Sequence, residues 1–341
     1  MAKAKKLPSG NWRVRVYCGK NAEGKPTYKS FTAETKKEAE YQGALYALKK
    51  KEKSSPMRWT LAEAAERYID DRRQTESPAT IRTYLSIART KYQELMPMQL
   101  EKITQEKLQE VTNKEALRLA PKTVISAHGF ISSVIRTYVP DFVVSTKLPK
   151  KKKSAYGTPS PEVLKRIFDC AKGSSIELPI LLAATMSLRM SEILALKWSD
   201  IENKVAHINE ALVIGENGSV FKSTKTEAGD RYILVPECVM TVLNTTPKEG
   251  KYIFTKSRNY ISKHFKKLLE DNGLPSCRFH DLRHANASAM LLLNIPDKYG
   301  MERGGWATRD TYHSIYQQTF TQERIQFDNK INQYFDELYD S

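Results

Sequence analysis

Four consecutive lysines, Lys150, Lys151, Lys152 and Lys153, lie inside KLPKKKKSAYGTPSPE at residues 147–162. Like charges in a row repel one another and keep the backbone extended, and the Pro, Gly and Ser around them punctuate rather than build regular structure. The chain is therefore expected to fold as separate bodies on either side of this stretch. Its 341 residues leave room for two or three domains. The expected division is 1–55, 56–148, a basic linker at 149–157, and 158–341.

The first body reads as a small sheet with one helix. NWRVRVYCG alternates Trp12, Val14 and Val16 with Arg13, Arg15 and Tyr17, which is strand periodicity. NAEGKP is a turn, TYKSFTA a second strand, and TKKEAEYQGALYALKKKEK a helix capped by Thr35. So small a core is marginal, which suggests a unit that works beside others. A two-stranded ribbon fits a DNA major groove. Arg13, Arg15, Lys20, Lys25, Tyr28 and Lys29 are the contact candidates, against the plain alternative of a solvated sheet face.

Residues 57 to about 145 read as four helices. Thr60 caps the first, with Leu61, Ala64, Ala65, Tyr68 and Ile69 inward. Ser77–Pro78 opens the second, with Ile81, Tyr84, Leu85 and Ala88 inward. ITQEKLQEVTNKEAL is the third, and the fourth turns Val124, Ala127, Phe130, Ile131 and Val134 to the core.

Charge narrows the partners. The net charge of +16 draws polyanions, nucleic acid first, and the lysine run is either a cationic strap on a phosphate backbone or a solvated spacer. An anionic membrane surface is less apt, because no basic amphipathic helix offers a lipid-facing side. Four scattered cysteines argue against a disulfide framework and fit a reducing cytoplasm. The apolar runs Leu178–Met186 and Ala285–Ile295 are short enough to be core helices, and MAKAKKLPSG leads into no apolar segment, so no secretory signal is expected.

From residue 158 on, the chain reads as mostly helical with a strand insert. Ser160–Pro161 caps a helix, and two helices flank a kink at Ser187–Arg189. VAHINEALVIG and RYILVP are β-runs around the polar STKTEAGD, and Ser257 opens a helix that Gly273 closes. The last segment carries Ile331, Tyr334, Phe335 and Leu338 at helical spacing. It is expected to dock as a helix on a neighbouring protomer or on its own domain. The whole is multidomain and mainly α.

HDLRHANASAMLLLNIPDKYGMERGGWATRDTYHSIY, residues 280–316, concentrates the chemistry. His280 and Arg283 are one helical turn apart and can face one pocket. Arg189, at a helix start, can offer two parallel donors to phosphate oxygens. With Lys225, Trp306 and Tyr316 they supply cations, ring donors and a hydroxyl nucleophile.

Three segments, SLRMSEILALKWSDI, FHDLRHANAS and MERGGWATRDTYHSIYQQTF, resemble in order and separation the tyrosine recombinases, specifically the integrases of phages and integrative elements. The resemblance implies a catalytic domain at 158–341, a core-site-binding helical domain before it, and an arm-site-binding domain of three strands and a helix at the N-terminus. It implies that Arg189 and Arg283 clamp the scissile phosphate and that Lys225, with Lys222 as rival, protonates the leaving 5′ hydroxyl. His280 becomes a hydrogen-bond or acid–base group. Trp306 stands where most members carry a second histidine, and its N–H can still donate. Tyr316, with Tyr312 as rival, becomes the nucleophile, and Glu192 and His284 support the site. A phenol of pKa about 10 needs such help to attack at neutral pH. The phosphotyrosine link stores the bond energy, so rejoining needs neither ATP nor metal. Double-stranded DNA at core and arm sites, a homotetramer on DNA, and an excisionase or host DNA-bending protein are the implied partners.

Three other readings compete. Cys277, His280 and His284 have half of a zinc-finger spacing, but no second Cys-x-x-Cys exists and Arg283 is an awkward neighbour for a cation. A non-catalytic DNA-binding regulator would need no Tyr316. A type IB topoisomerase would share the chemistry without the N-terminal arm unit.

Overall fold

The computed structural model describes residues 3–20, 25–53, 59–151, 157–223 and 229–316, with residues 332, 333, 335 and 337 beyond them. The side chains of 19–20, 48–53 and 314–316 are outside the description. The chain divides into two compact units, 1–68 with 90–148, and 69–89 with 149–341.

In the first unit β1 (Lys5–Lys6), β2 (Trp12–Lys20) and β3 (Pro26–Ala33) form an antiparallel sheet in that order. The alternation read from the sequence holds on β2, where Val14 is buried while Arg13, Arg15 and Tyr17 are exposed. Helix α1 (Lys36–Lys53) begins at Thr35, whose Oγ1 accepts from the Glu38 N–H at 3.3 Å. It crosses the sheet at Gly43, where an added Cβ would lie 2.5 Å from Val14 Cγ1. Among the described residues the core there is Ala4, Val14 and Ala39, edged by Trp12, Phe31 and Ala33.

Helix α2 (Leu61–Asp70) opens on a reciprocal cap. Thr60 Oγ1 accepts from Glu63 N–H, and Glu63 Oε2 accepts from Thr60 N–H. α3 (Pro78–Thr90) belongs with the second unit, and Ile87 is more buried in it than the expected Ala88. α4 (Gln105–Arg118) and α5 (Pro121–Tyr138) complete the helical set, and every inward residue read for α2 and α5 is buried. Beyond α5 the chain runs back along α4. Gln109 Oε1 accepts from Lys147 N–H at 2.7 Å, and Gln105 Oε1 from Ser145 N–H at 3.2 Å. Lys150 and Lys151 are exposed; Lys152 and Lys153 lie outside the described residues.

The second unit is built on α7. After α6 (Pro161–Ala171), α7 (Glu177–Met186) runs through the core with Leu178–Ala184 and Met186 all buried. Ser187 ends it in the left-handed region at φ 57°, and α8 (Met190–Ile193) follows. The second of the two expected helices is thus a single turn. The chain leaves it because Leu196 O accepts from Ile253 N–H at 2.9 Å and Trp198 N–H donates to Lys251 O at 3.2 Å.

Strands β4 (Ile201–Glu202), β5 (Val205–Ile208), β6 (Glu210–Gly215), β7 (Gly218–Ser223) and β8 (Arg231–Leu234) follow. They make two sheets, β4-β5-β8 and the hairpin β6–β7. VAHINEALVIG is therefore two strands in different sheets. β7 falls within the expected strand insert at 204–236, but its bounds are not marked in the sequence because both its faces are largely exposed and it carries no apolar stripe.

Helices α9 (Glu237–Thr245), α10 (Arg258–Asp271), α11 (Asp281–Leu292), α12 (Asp297–Gly304) and α13 (Arg309–Tyr316) complete the unit, with α11 packed on α7. Ser257 caps α10 and Gly273 closes it at φ 58°. The apolar run expected to reach Ile295 as helix stops at Leu292, and Leu293 beyond it is 71% exposed. Ile331, Tyr334 and Leu338 lie outside the described residues; Phe335 is helical and exposed. No helix among the described residues is long and apolar enough to cross a membrane.

Candidate active site

Arg189 is placed by the break between α7 and α8. As the residue before α8 it keeps an extended backbone, φ −74° and ψ 150°, and its N–H donates to Glu192 Oε2 at 2.9 Å. Its guanidinium donates to Glu192 Oε1 at 2.6 Å and to Gly305 O at 2.7 Å. Gly305 offers that carbonyl from the left-handed conformation, φ 65°, which suits glycine.

Glu192 holds a second guanidinium. Arg231 Nη2 donates to its Oε2 at 2.8 Å, and both side chains are 2% exposed. Burial alone would raise the Glu192 pKa; Arg231, and then Arg189, outweigh it and hold the carboxyl below its usual range. Arg231 Nε also donates to Arg303 O at 3.0 Å, which ties β8 to α12. Arg231 was not singled out in the sequence. The signal was there, because in RYIL it is in phase with the buried Ile233 and out of phase with the exposed Tyr232 and Leu234.

Arg283 enters from α11. It is 1% exposed, donates through Nη1 to Ser187 O, and lies with its guanidinium carbon 4.2 Å from the centre of the Trp306 ring. Its Nη2 has no hydrogen-bond partner among the described residues. Burial first, and Arg189 next, push its pKa down to about 9. Such a group gains from any anion delivered to it.

His280 sits just before α11 and is exposed. Partial desolvation first, then His284 and Arg283, lower its pKa, so the ring is neutral at pH 7. His284 packs edge-on against it with ring centres 4.9 Å apart, and lies 3.6 Å from the buried Asp281. The structure thus gathers Arg189, Glu192, His280, Arg283, His284 and Trp306. Glu192 lies among Arg189, Arg231 and Arg283, and the positive surplus there suits an oxyanion.

Trp306 is 5% exposed and packs between Arg283 and Tyr312, whose ring centre is 4.9 Å away. Two glycines of α12 make room. A Cβ on Gly304 would fall 1.8 Å from the Trp306 ring, and one on Gly300 1.9 Å from the Tyr312 hydroxyl. Tyr312 is fully buried, so its place is in packing. Tyr316 is one turn further along and closes α13; its side chain is outside the description. Lys225 lies outside the described residues, while Lys222 is half-buried on β7, paired with Ala211.

In the first unit the arm-contact candidates do not share one face. Arg13 and Arg15 lie outward with Tyr28, and the Arg15 guanidinium is 4.6 Å from the Tyr28 ring centre. Lys29 pairs with Val16 on the opposite side and sits 5.0 Å from the Tyr46 ring of α1. Lys25 is exposed beside the turn, and the Lys20 side chain is not described. The Cys277, His280 and His284 spacing does not close into a site. Among the described residues no three His, Cys, Asp or Glu side chains gather as metal ligands, and burial pushes the Cys277 thiol up to about 12.

This arrangement of guanidinium groups can hold an oxyanion. Comparison with known proteins gives it a family. Residues 160–323 match the phage integrase family. A XerC-like tyrosine recombinase of Caldanaerobacter subterraneus is 24% identical across 95% of this chain and 96% of its own. The Tn1549 transposon integrase in complex with transposon right end DNA superposes with a TM-score of 0.65 at 15% identity, over 76% of this chain and 95% of that one. A lambda integrase tetramer bound to a Holliday junction does so at 0.58 and 16%, over 90% and 96%. The second unit carries a phage integrase family domain, and the chain is similar along its length to tyrosine recombinases, enzymes that cleave and rejoin DNA in site-specific recombination. The matches favour recombination over a topoisomerase-like relaxing enzyme or a non-catalytic regulator.

Proposed function

We propose that the chain is an integrase that inserts and excises a phage or other mobile element, with Tyr316 as nucleophile. Arg189 and Arg283 hold the scissile phosphate, and His280 and the Trp306 N–H donate to its oxygens. Tyr316 attacks phosphorus, the 5′ oxygen leaves with a proton from Lys225, and a 3′-phosphotyrosine remains. Strand exchange then proceeds through a Holliday junction within a homotetramer on DNA. The arm unit, the helical unit and the lysine run hold arm and core attachment sites. An excisionase or host DNA-bending protein sets direction, in the cytoplasm of a bacterial host.

The observation that carries this reading is the unpartnered Nη2 of buried Arg283, beside Arg189 and below the helix that ends on Tyr316. The enclosure of Tyr312 supports Tyr316 over its neighbour. The test is strand exchange between two duplexes whose core sequence is recovered from a random nicked pool by covalent capture. Recombinant joints support the integrase reading; relaxation of supercoiled DNA without joints overturns it.

A further inference from the structure

The helix that ends on Tyr316 is fastened at its outer edge by one carboxylate. Asp297 opens α12, and its Oδ2 accepts from Arg309 Nε at 3.0 Å and from His313 Nε2 at 2.7 Å. Hydrogen bonding from His313, foremost, holds this carboxyl below the usual range, so it is ionised at neutral pH. Its place at the positive end of α12 suits a negative charge. Arg309 and His313 are one turn apart and share a side of α13, and His313 is three residues before Tyr316.

Tyr312 fixes the adjoining, inward side of the same helix. It is fully buried against Gly300 and Trp306, and Trp306 in turn stacks on Arg283. One buried knob fixes how deep a helix sits but leaves it free to roll about the knob. A second, off-axis attachment removes the roll. For α13 that roll would swing the residue at its last turn.

We propose that Asp297, through Arg309 and His313, is a positioning bracket that sets the roll of α13 and so aims Tyr316 at the phosphate held by Arg189 and Arg283. The proposal rests on the reading of Tyr316 as nucleophile. The three side chains are 28%, 71% and 47% exposed, and pairs that open to water add little to global stability. Aim is far more sensitive, since a misplacement of about 1 Å can cost on the order of 100-fold in rate. Slow chemistry in a stable, DNA-binding protein is therefore the signature of the bracket.

The experiment uses the full chain and a nicked suicide duplex carrying the captured core sequence. Single-turnover adduct formation gives a plateau rate and a half-saturating DNA concentration, and a thermal midpoint is read in parallel. Asp297→Ala and His313→Ala are expected to slow the plateau rate roughly 10- to 100-fold with the other two readings unmoved. The double variant is expected to be no slower than Asp297→Ala, because the two residues act as one unit. His313→Gln, whose amide can still donate to Asp297, is expected to recover most of the rate. A plateau rate equal to wild type overturns the bracket. So do additive losses, or losses that track weaker DNA binding or a lower midpoint. Failure of the underlying reading is separate: Tyr316→Phe would then still form the adduct.

Discussion

Arg231 and Glu192 form an ion pair of 2.8 Å in which both side chains are 2% exposed, and the same carboxylate orients Arg189 from its other oxygen. One buried anion therefore sets the direction of a guanidinium that is itself 36% exposed. The direction of Arg189 is thus set from α8 and β8 together with the Gly305 carbonyl.

Arg231→Met tests that dependence. Removing one partner of a buried pair leaves the other charge poorly compensated, at a cost of about 3–5 kcal/mol. Urea unfolding of the variant is expected to show a loss of that order. Adduct formation should fall as well, because Glu192 is no longer held in place for Arg189.

Acid should reveal the same carboxylate. Its pKa in the folded chain is below the ordinary 4.5, because Arg231 and Arg189 outweigh burial. A depressed carboxylate contributes stability that is complete above the unfolded value and is lost as pH falls through the folded one. Glu192→Gln is expected to be less stable than wild type at neutral pH. It should also show a shallower loss of stability than wild type as pH falls from about 5. Equal acid slopes in denaturant titrations would contradict this.

Gly304→Ala places a Cβ 1.8 Å from the ring of Trp306, which is itself buried against Arg283 and Tyr312. Overpacking of this kind typically costs about 1–3 kcal/mol, and here it also displaces the face on which Arg283 rests. Calorimetry is expected to show a lower midpoint, and adduct assays a slower rate. Gly129→Ala, inside α5 with open space around its Cβ, is the matched control and should keep the wild-type rate with a midpoint equal to or above wild type.

Salt should expose the lysine run. Each phosphate contact adds about 0.9 to the slope of log affinity against log salt. Replacing Lys150–Lys153 by alanine is expected to flatten that slope in a gel-shift titration by up to about 4. An unchanged slope would leave the run a solvated spacer.

Much of this was legible before the fold was seen. Caps at Thr35, Thr60, Ser160 and Ser257 follow from local chemistry, and local chemistry is what a linear reading captures. Arg189, His280 and Arg283 were found because their neighbours form a pattern. Arg231 was missed because its partner is 39 residues away in sequence and only packing brings them together. β7 could not be delimited within the strand insert for want of an apolar stripe, and the exposed set on the N-terminal sheet was divided by a register that composition does not encode. The break of α8 after one turn depends on backbone partners more than 50 residues downstream, Lys251 and Ile253.

The most direct test of the account is to trap wild-type protein on the nicked core duplex, digest the adduct, and weigh the DNA-linked peptide. The label is expected on Tyr316, with Tyr316→Phe still bound to the duplex and Tyr312→Phe still forming the link. A label on Tyr312, or on any residue outside α13, would contradict it.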